Sequence, residues 1–159
     1  ANSGFGNGNT ISVINISTDE VVDTITVGDN PVSILKQDND QLWVVCVGAY
    51  GDFSDPNDDT PGMIYVINGT TAEVITSFEV GGHPGDLVIN DMDDIAYLMN
   101  GAVMSINMNT FEISDSLFID RNFYSLGLST SNEGQFIWGN ACPSGGGPCI
   151  TSCTLCGAC

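Results

Sequence analysis

One stretch of sequence is written three times along this chain. ISVINISTDEVVDTITVGDNPVSI, Ile11 to Ile34, returns as IYVINGTTAEVITSFEVGGHPGDL, Ile64 to Leu87. A looser third copy is VMSINMNTFEISDSLFIDRNFYSL, Val103 to Leu126. The landmarks keep step: Asn15, Asn68 and Asn107 lie 53 and then 39 residues apart. Gly28, Gly81 and Asp120 show the same gaps, as do Pro31, Pro84 and Phe123. The longer gap holds 14 extra residues, AYGDFSDPNDDTPG, from Ala49 to Gly62. Repeats of about 40 residues made of short strands are the signature of β-propeller blades.

Each copy divides into four runs rich in Val, Ile, Thr and aromatics, separated by turn residues. The first gives Thr10–Asn15, Val21–Val27, Val32–Lys36 and Leu42–Val47; the second Ile64–Asn68, Glu73–Val80, Asp86–Asn90 and Ile95–Met99. The third gives Val103–Asn107, Phe111–Ile119, Tyr124–Ser129 and Phe136–Gly139. No run carries apolar residues at helical spacing. The expectation is therefore an all-β chain: a partial β-propeller of three four-stranded blades at residues 10–48, 63–101 and 102–140. Residues 1–9 act as a linker, and 141–159 as a cysteine-rich tail. Val13, Ile25, Ile34 and Val44, with their equivalents, are expected to pack between blades.

The copies resemble the YVTN-type propeller repeat. The residues that carry the likeness are Val13-Ile14-Asn15, Ile25, Val27-Gly28, Pro31 and Leu42-Trp43-Val44, recurring as Val66-Ile67-Asn68, Phe78, Val80-Gly81, Pro84 and Tyr97-Leu98. The run LWVVCVGAYGDF followed by TPGMIYVIN is further similar to a subgroup of bacterial surface lipoproteins. That likeness implies an extracellular or cell-surface protein that binds a small molecule, with a corrinoid of the vitamin B12 type as the ligand. The alternative is a structural or adhesive part of a surface assembly, with another surface protein as partner.

Three blades do not close a ring, since closed propellers have roughly four to eight. The sequence therefore implies that the rest of a propeller, or a second copy, completes the arc; its start and its Cys159 ending suggest a fragment. The balance of 20 acidic residues against Lys36 and Arg121 gives a net charge of −18. This excludes nucleic acid as a partner, because phosphates need Lys and Arg, and disfavours anionic membrane surfaces. No catalytic constellation is visible, so the chain reads as a binding protein and not an enzyme.

Of the six cysteines, Cys46 sits in an apolar run and reads as a small buried hydrophobe. The other five crowd the tail CPSGGGPCITSCTLCGAC. Cys153, Cys156 and Cys159 stand at the spacing of three ligands of a ferredoxin-type cluster, with Cys149 or Cys142 as the fourth. Zinc and disulfides are the competing readings. The sequons at Asn15 and Asn68 occupy equivalent turns and read as repeat chemistry.

Strand parity predicts where function would sit. In an antiparallel blade alternate connections emerge at one end. The turns Gly28–Pro31, Gly81–Pro84 and Asp120–Phe123 should therefore share a face with the 14-residue insertion. Candidate ligand-binding residues on that face are Asp29, Asn30, Tyr50, Phe53, His83, Arg121 and Asn122. Tyr50 and Phe53 could stack on a flat ligand, and a neutral His83 could ligate a metal, including cobalt. Arg121 could anchor a carboxylate or phosphate. Asp52, Asp55, Asn57, Asp58 and Asp59 could hold calcium, although their spacing is not that of an EF-hand; a solvated acidic loop is the alternative.

Overall fold

A computed structural model describes residues 1–4, 8–51, 55, 58–121, 123–131, 134–141 and 150–151. Among them the chain is all β, with no α-helix. The strands are β1 Thr10–Asn15, β2 Glu20–Thr26, β3 Pro31–Lys36, β4 Gln41–Cys46, β5 Met63–Asn68, β6 Val74–Glu79 and β7 Leu87–Asn90. Then follow β8 Ile95–Asn100, β9 Ala102–Asn107, β10 Glu112–Ile119, β11 Ser125–Ser131, β12 Gly134–Ala141 and β13 Ile150–Thr151. The twelve expected strands match β1 to β12 within a residue or two at most ends. The short β13 lies in the tail and carried no strand signal.

The sheets are cut differently from the repeats. β1 pairs only with β2, β3-β4-β5-β6 and β7-β8-β9-β10 form four-stranded antiparallel sheets, and β11-β12-β13 form a three-stranded one. The expected grouping of strands into three four-stranded sheets is thus corrected to sheets of two, four, four and three strands. The reason is that the sheets that start with β3, β7 and β11 each begin after a Gly-x-x-Pro-type turn, in the middle of a repeat. The outer pair of one sheet and the inner pair of the next are neighbours in sequence, so the repeat straddles two sheets.

The recurring Asn of each repeat is a turn device. Asn15 Oδ1 accepts the Ser17 amide at 2.8 Å. Asn68 Oδ1 accepts those of Thr70 and Thr71, and Asn107 Oδ1 those of Asn109 and Thr110. Each turn then closes through a residue at positive φ, Asp19 at 57°, Ala72 at 61° and Phe111 at 60°, whose amide bonds back to the Asn carbonyl. A side chain that mimics a backbone turn explains why Asn recurs at this point.

The chain divides into two compact units, residues 1–84 and 85–159. In the first, sheet β1-β2 packs on sheet β3–β6 through Ile11, Ile25, Val27, Val44, Cys46 and Ile67, with Val13 partly buried against them. Ile34 departs from the expectation: it is 40% exposed. Alternation along β3 puts it on the same face as Val32 and Lys36, away from the packed face. In the second unit, Val88, Tyr97, Met99, Val103, Phe123 and Ile137 form the matching core between β7–β10 and β11-β12. The β4 strand is the best protected of the first unit: Trp43, Val44, Val45 and Cys46 are all fully buried. Trp43 meets Phe78 edge-on at 6.2 Å and donates from Nε1 to Gln37 Oε1 at 3.1 Å.

Candidate functional site

Three loops of the first unit converge at one end of sheet β3–β6. They are the β2–β3 turn, the insertion between β4 and β5, and the Gly81–Pro84 turn after β6. Backbone bonds fix the first contact: the amides of Val47 and Gly48 donate to the carbonyls of Asn30 and Asp29, each at 3.0 Å. Thr60 then closes the neck of the insertion. Its amide donates to Ala49 O, its hydroxyl oxygen accepts the Ala49 amide at 2.7 Å, and its hydroxyl donates to Asp29 Oδ2 at 3.0 Å. One hydroxyl therefore ties both ends of the insertion to the β2–β3 turn.

The third loop is held by packing as well as hydrogen bonds. The Gly62 amide donates to Gly82 O, and the Val80 amide to Gly62 O, both at 2.9 Å. A Cβ on Gly62 would run into the ring of Pro84, so only glycine lets the strand start this close to the turn. Gly48, at φ 85°, serves the other side, where a Cβ would meet the Thr60 carbonyl.

These clips bring His83 against the insertion. Its ring stacks on Tyr50 with centroids 3.9 Å apart and planes 29° off parallel. Nδ1 lies 3.0 Å from Val47 O. A carbonyl only accepts, so Nδ1 carries the hydrogen. Nε2 then points to Asp59 Oδ2 at 3.3 Å. Asp59 Oδ1 in turn accepts the Gly51 amide at 3.2 Å. His83 is largely covered, whereas Tyr50 is 71% exposed despite the stack, leaving its outer face open.

Of the sequence-based candidates, the structure thus brings together Asp29, Asn30, Tyr50, Asp59 and His83. Asp55 and Asp58 are exposed on the same insertion. Arg121 belongs to the second unit, where it is exposed and its amide donates to Ile119 O. Phe53, Asn122, Asp52, Asn57, Cys142, Cys149, Cys153, Cys156 and Cys159 lie outside the described residues. Among the described residues no three His, Cys, Asp or Glu side chains converge as a metal-ligand group. Thr60 was missed, since a lone threonine before Pro61-Gly62 carries no motif.

Cys46 sits just inside this end of the sheet as a free thiol. Burial pushes its pKa up to about 11, assisted by the Asp29 charge and opposed by a hydrogen bond with the Gly28 backbone. A thiol kept protonated this way is a poor nucleophile.

No protein family matches the chain, and no curated protein does. Among the solved structures that match is the Hydrazine Synthase of Kuenenia stuttgartiensis, at 19% identity and a TM-score of 0.66. The match covers 87% of this chain and 37% of that one, so this chain spans little more than a third of its neighbour's length. A likeness at this identity speaks to fold alone.

Proposed function

We propose that the chain is a non-catalytic binding module, a segment of an extracellular or cell-surface β-propeller whose loops around Tyr50 and His83 capture a small flat ligand. The carrying observation is the Tyr50–His83 stack, an exposed aromatic face held by hydrogen-bonded loops on a rigid sheet. The propeller reading is supported by the repeat, by the four-stranded meander sheets and by the packing of successive sheets within each unit. A corrinoid is the ligand to test first. The Nδ1–H bond to Val47 leaves Nε2 as the ligating nitrogen of His83, and Asp59 would have to turn aside for cobalt to reach it.

The test is gel filtration of the protein with cyanocobalamin, followed by the ligand's visible absorbance. Co-elution that is lost in Tyr50→Ala is expected. Absence of co-elution for the folded protein rejects corrinoid capture.

A second reading, assembly through sheet edges, rests on the edge strands. Val21, Val74 and Ile113 occupy equivalent repeat positions on β2, β6 and β10, and are 59%, 42% and 39% exposed. A second copy, or further propeller strands, would cover such edges. Light scattering against protein concentration tests it: growth of higher oligomers supports the reading and a constant monomer mass rejects it.

A further inference from the structure

The second unit contains a junction between sheets whose two halves recur separately elsewhere on the chain. In its core, Ile95 and Tyr97 of β8 pack in one cluster with Leu126 of β11. Tyr97 lies opposite Val88 across β7 and β8, and Trp138 lies opposite Gly127 across β11 and β12. Val88 and Gly127 are 39 residues apart, which is the repeat period. Ile95 and Phe136 correspond in the same way, through their partners Asn90 and Ser129. Trp138 is therefore the counterpart of Tyr97 one sheet further along the chain, and Phe136 that of Ile95.

Exposure separates the counterparts. Tyr97 is 8% exposed and Trp138 42%. Trp138 Nε1 already donates to Ser129 Oγ at 2.7 Å, so the surface left open is apolar ring. Phe136 stands beside it with ring centroids 6.4 Å apart. Their partners on β11, Gly127 and Ser129, share that face of the sheet and are too small to cover the rings.

The other half of the junction has its counterpart in the first unit. Ile34 follows Pro31 by three residues as Leu126 follows Phe123, and Pro31 and Phe123 are the same landmark of the repeat. Leu126 is partly buried in the core of the second unit, whereas Ile34, with Val32 beside it, is exposed on β3. The chain thus presents an aromatic pair without its aliphatic seat, and an aliphatic seat without its aromatic pair.

We propose that these two faces form one interface between copies of this chain. Phe136 and Trp138 of one copy seat on Val32 and Ile34 of the next, as Ile95, Tyr97 and Leu126 come together in the core of the second unit. The occupant is a second copy because both halves of the contact are written on the same chain, in the same repeat register. The contact is heterologous, so each assembly keeps one half free at either end unless it closes into a ring. The proposal rests on the repeated-sheet reading of the fold, and it uses sheet faces where the assembly reading above uses sheet edges.

The experiment is sedimentation equilibrium over a concentration series, at about 0.15 M salt so that the net charge of −18 per copy is screened. The weight-average mass should rise with concentration. Trp138→Ser and Ile34→Asp should each weaken association about tenfold or more, the effect of a residue central to an interface. Trp138→Tyr, which supplies the ring found at the equivalent buried position, should keep it. An equimolar mixture of Trp138→Ser and Ile34→Asp should recover dimers, because the intact aromatic face of one meets the intact aliphatic face of the other. Circular dichroism checks that each variant is folded, and Ile34→Asp, at an exposed position, carries the test if Trp138→Ser is not. Association that persists in both single variants overturns the proposal and leaves edge assembly standing. A mixture that associates no better than either variant alone also overturns it. A constant monomer mass for the unaltered chain removes both assembly readings and assigns the two faces to other strands.

Discussion

Removing the Thr60 hydroxyl should loosen the insertion without unfolding the sheet beneath it. Thr60→Val keeps the shape and the β-branch but deletes both bonds of the hydroxyl. The bond accepted from the Ala49 amide is a neutral one, worth about 0.5–1.5 kcal/mol net. The bond donated to the Asp29 carboxylate is charge-assisted, worth about 1.5–3 kcal/mol when buried. Ala49, Asp29 and Thr60 are only partly buried, so water replaces much of each bond. A net cost of about 1–2 kcal/mol to the closed loop is the working figure, or roughly five- to thirtyfold in its opening equilibrium. Native-state hydrogen exchange reads this directly. The amides at positions 49 and 60 should exchange faster by that factor, while those of Val44 and Tyr65, paired across β4 and β5, keep their rates. Thr60→Ser, which restores the hydroxyl, should return the exchange to within about twofold of wild type. If positions 49 and 60 exchange at wild-type rates in Thr60→Val, the hydroxyl is not the clip and the loops are held by backbone bonds alone.

Two more outcomes are expected of the core. Burial holds the Cys46 thiol protonated up to about pH 11, while an unfolded chain releases that proton near pH 9.0, so both states are protonated below the lower value and only the unfolded state ionises between the two. Stability from this group is therefore intact below about pH 9 and lost by about pH 11, a fall of at most about 2–3 kcal/mol that urea titrations should show in wild type and not in Cys46→Ala. Trp43→Phe should cost about 2–3 kcal/mol, because it strands the buried Gln37 Oε1 as well as shrinking the ring. Adding Gln37→Leu should recover about 1 kcal/mol in urea unfolding, and a double variant no better than the sum of the singles would refute the hydrogen-bond account.

The strands were legible because each is short, β-branched and bounded by turn residues, and because three copies report the same boundaries. The Asn of each repeat was visible as a landmark, but its role was not, since a side chain that caps its own turn reads the same as any other polar residue until the backbone is seen. Ile34 was misplaced for a related reason. Its apolarity says that it prefers burial, whereas alternation along β3 assigns it to the face of Val32 and Lys36. Sequence alone does not say which of two faces the next sheet will cover. Thr60 was invisible because its partners, Ala49 and Asp29, are 11 and 31 residues away.

Parity explains why the loop end could nevertheless be found. In an antiparallel meander the β2–β3, β4–β5 and β6–β7 connections must emerge at one end, whatever the side chains do. An insertion between β4 and β5 therefore lands beside the two Gly-containing turns, and Gly62 and Gly48 then let the backbones approach closely enough for side chains to meet. Topology thus brings Tyr50 and His83 to the same neighbourhood. What turns proximity into a stack is local: Val47 O orients the imidazole from one side and Asp59 from the other. The first step depends only on counting strands, which a sequence permits. The second depends on a carbonyl and a carboxylate 36 and 24 residues from His83, which only coordinates bring into register.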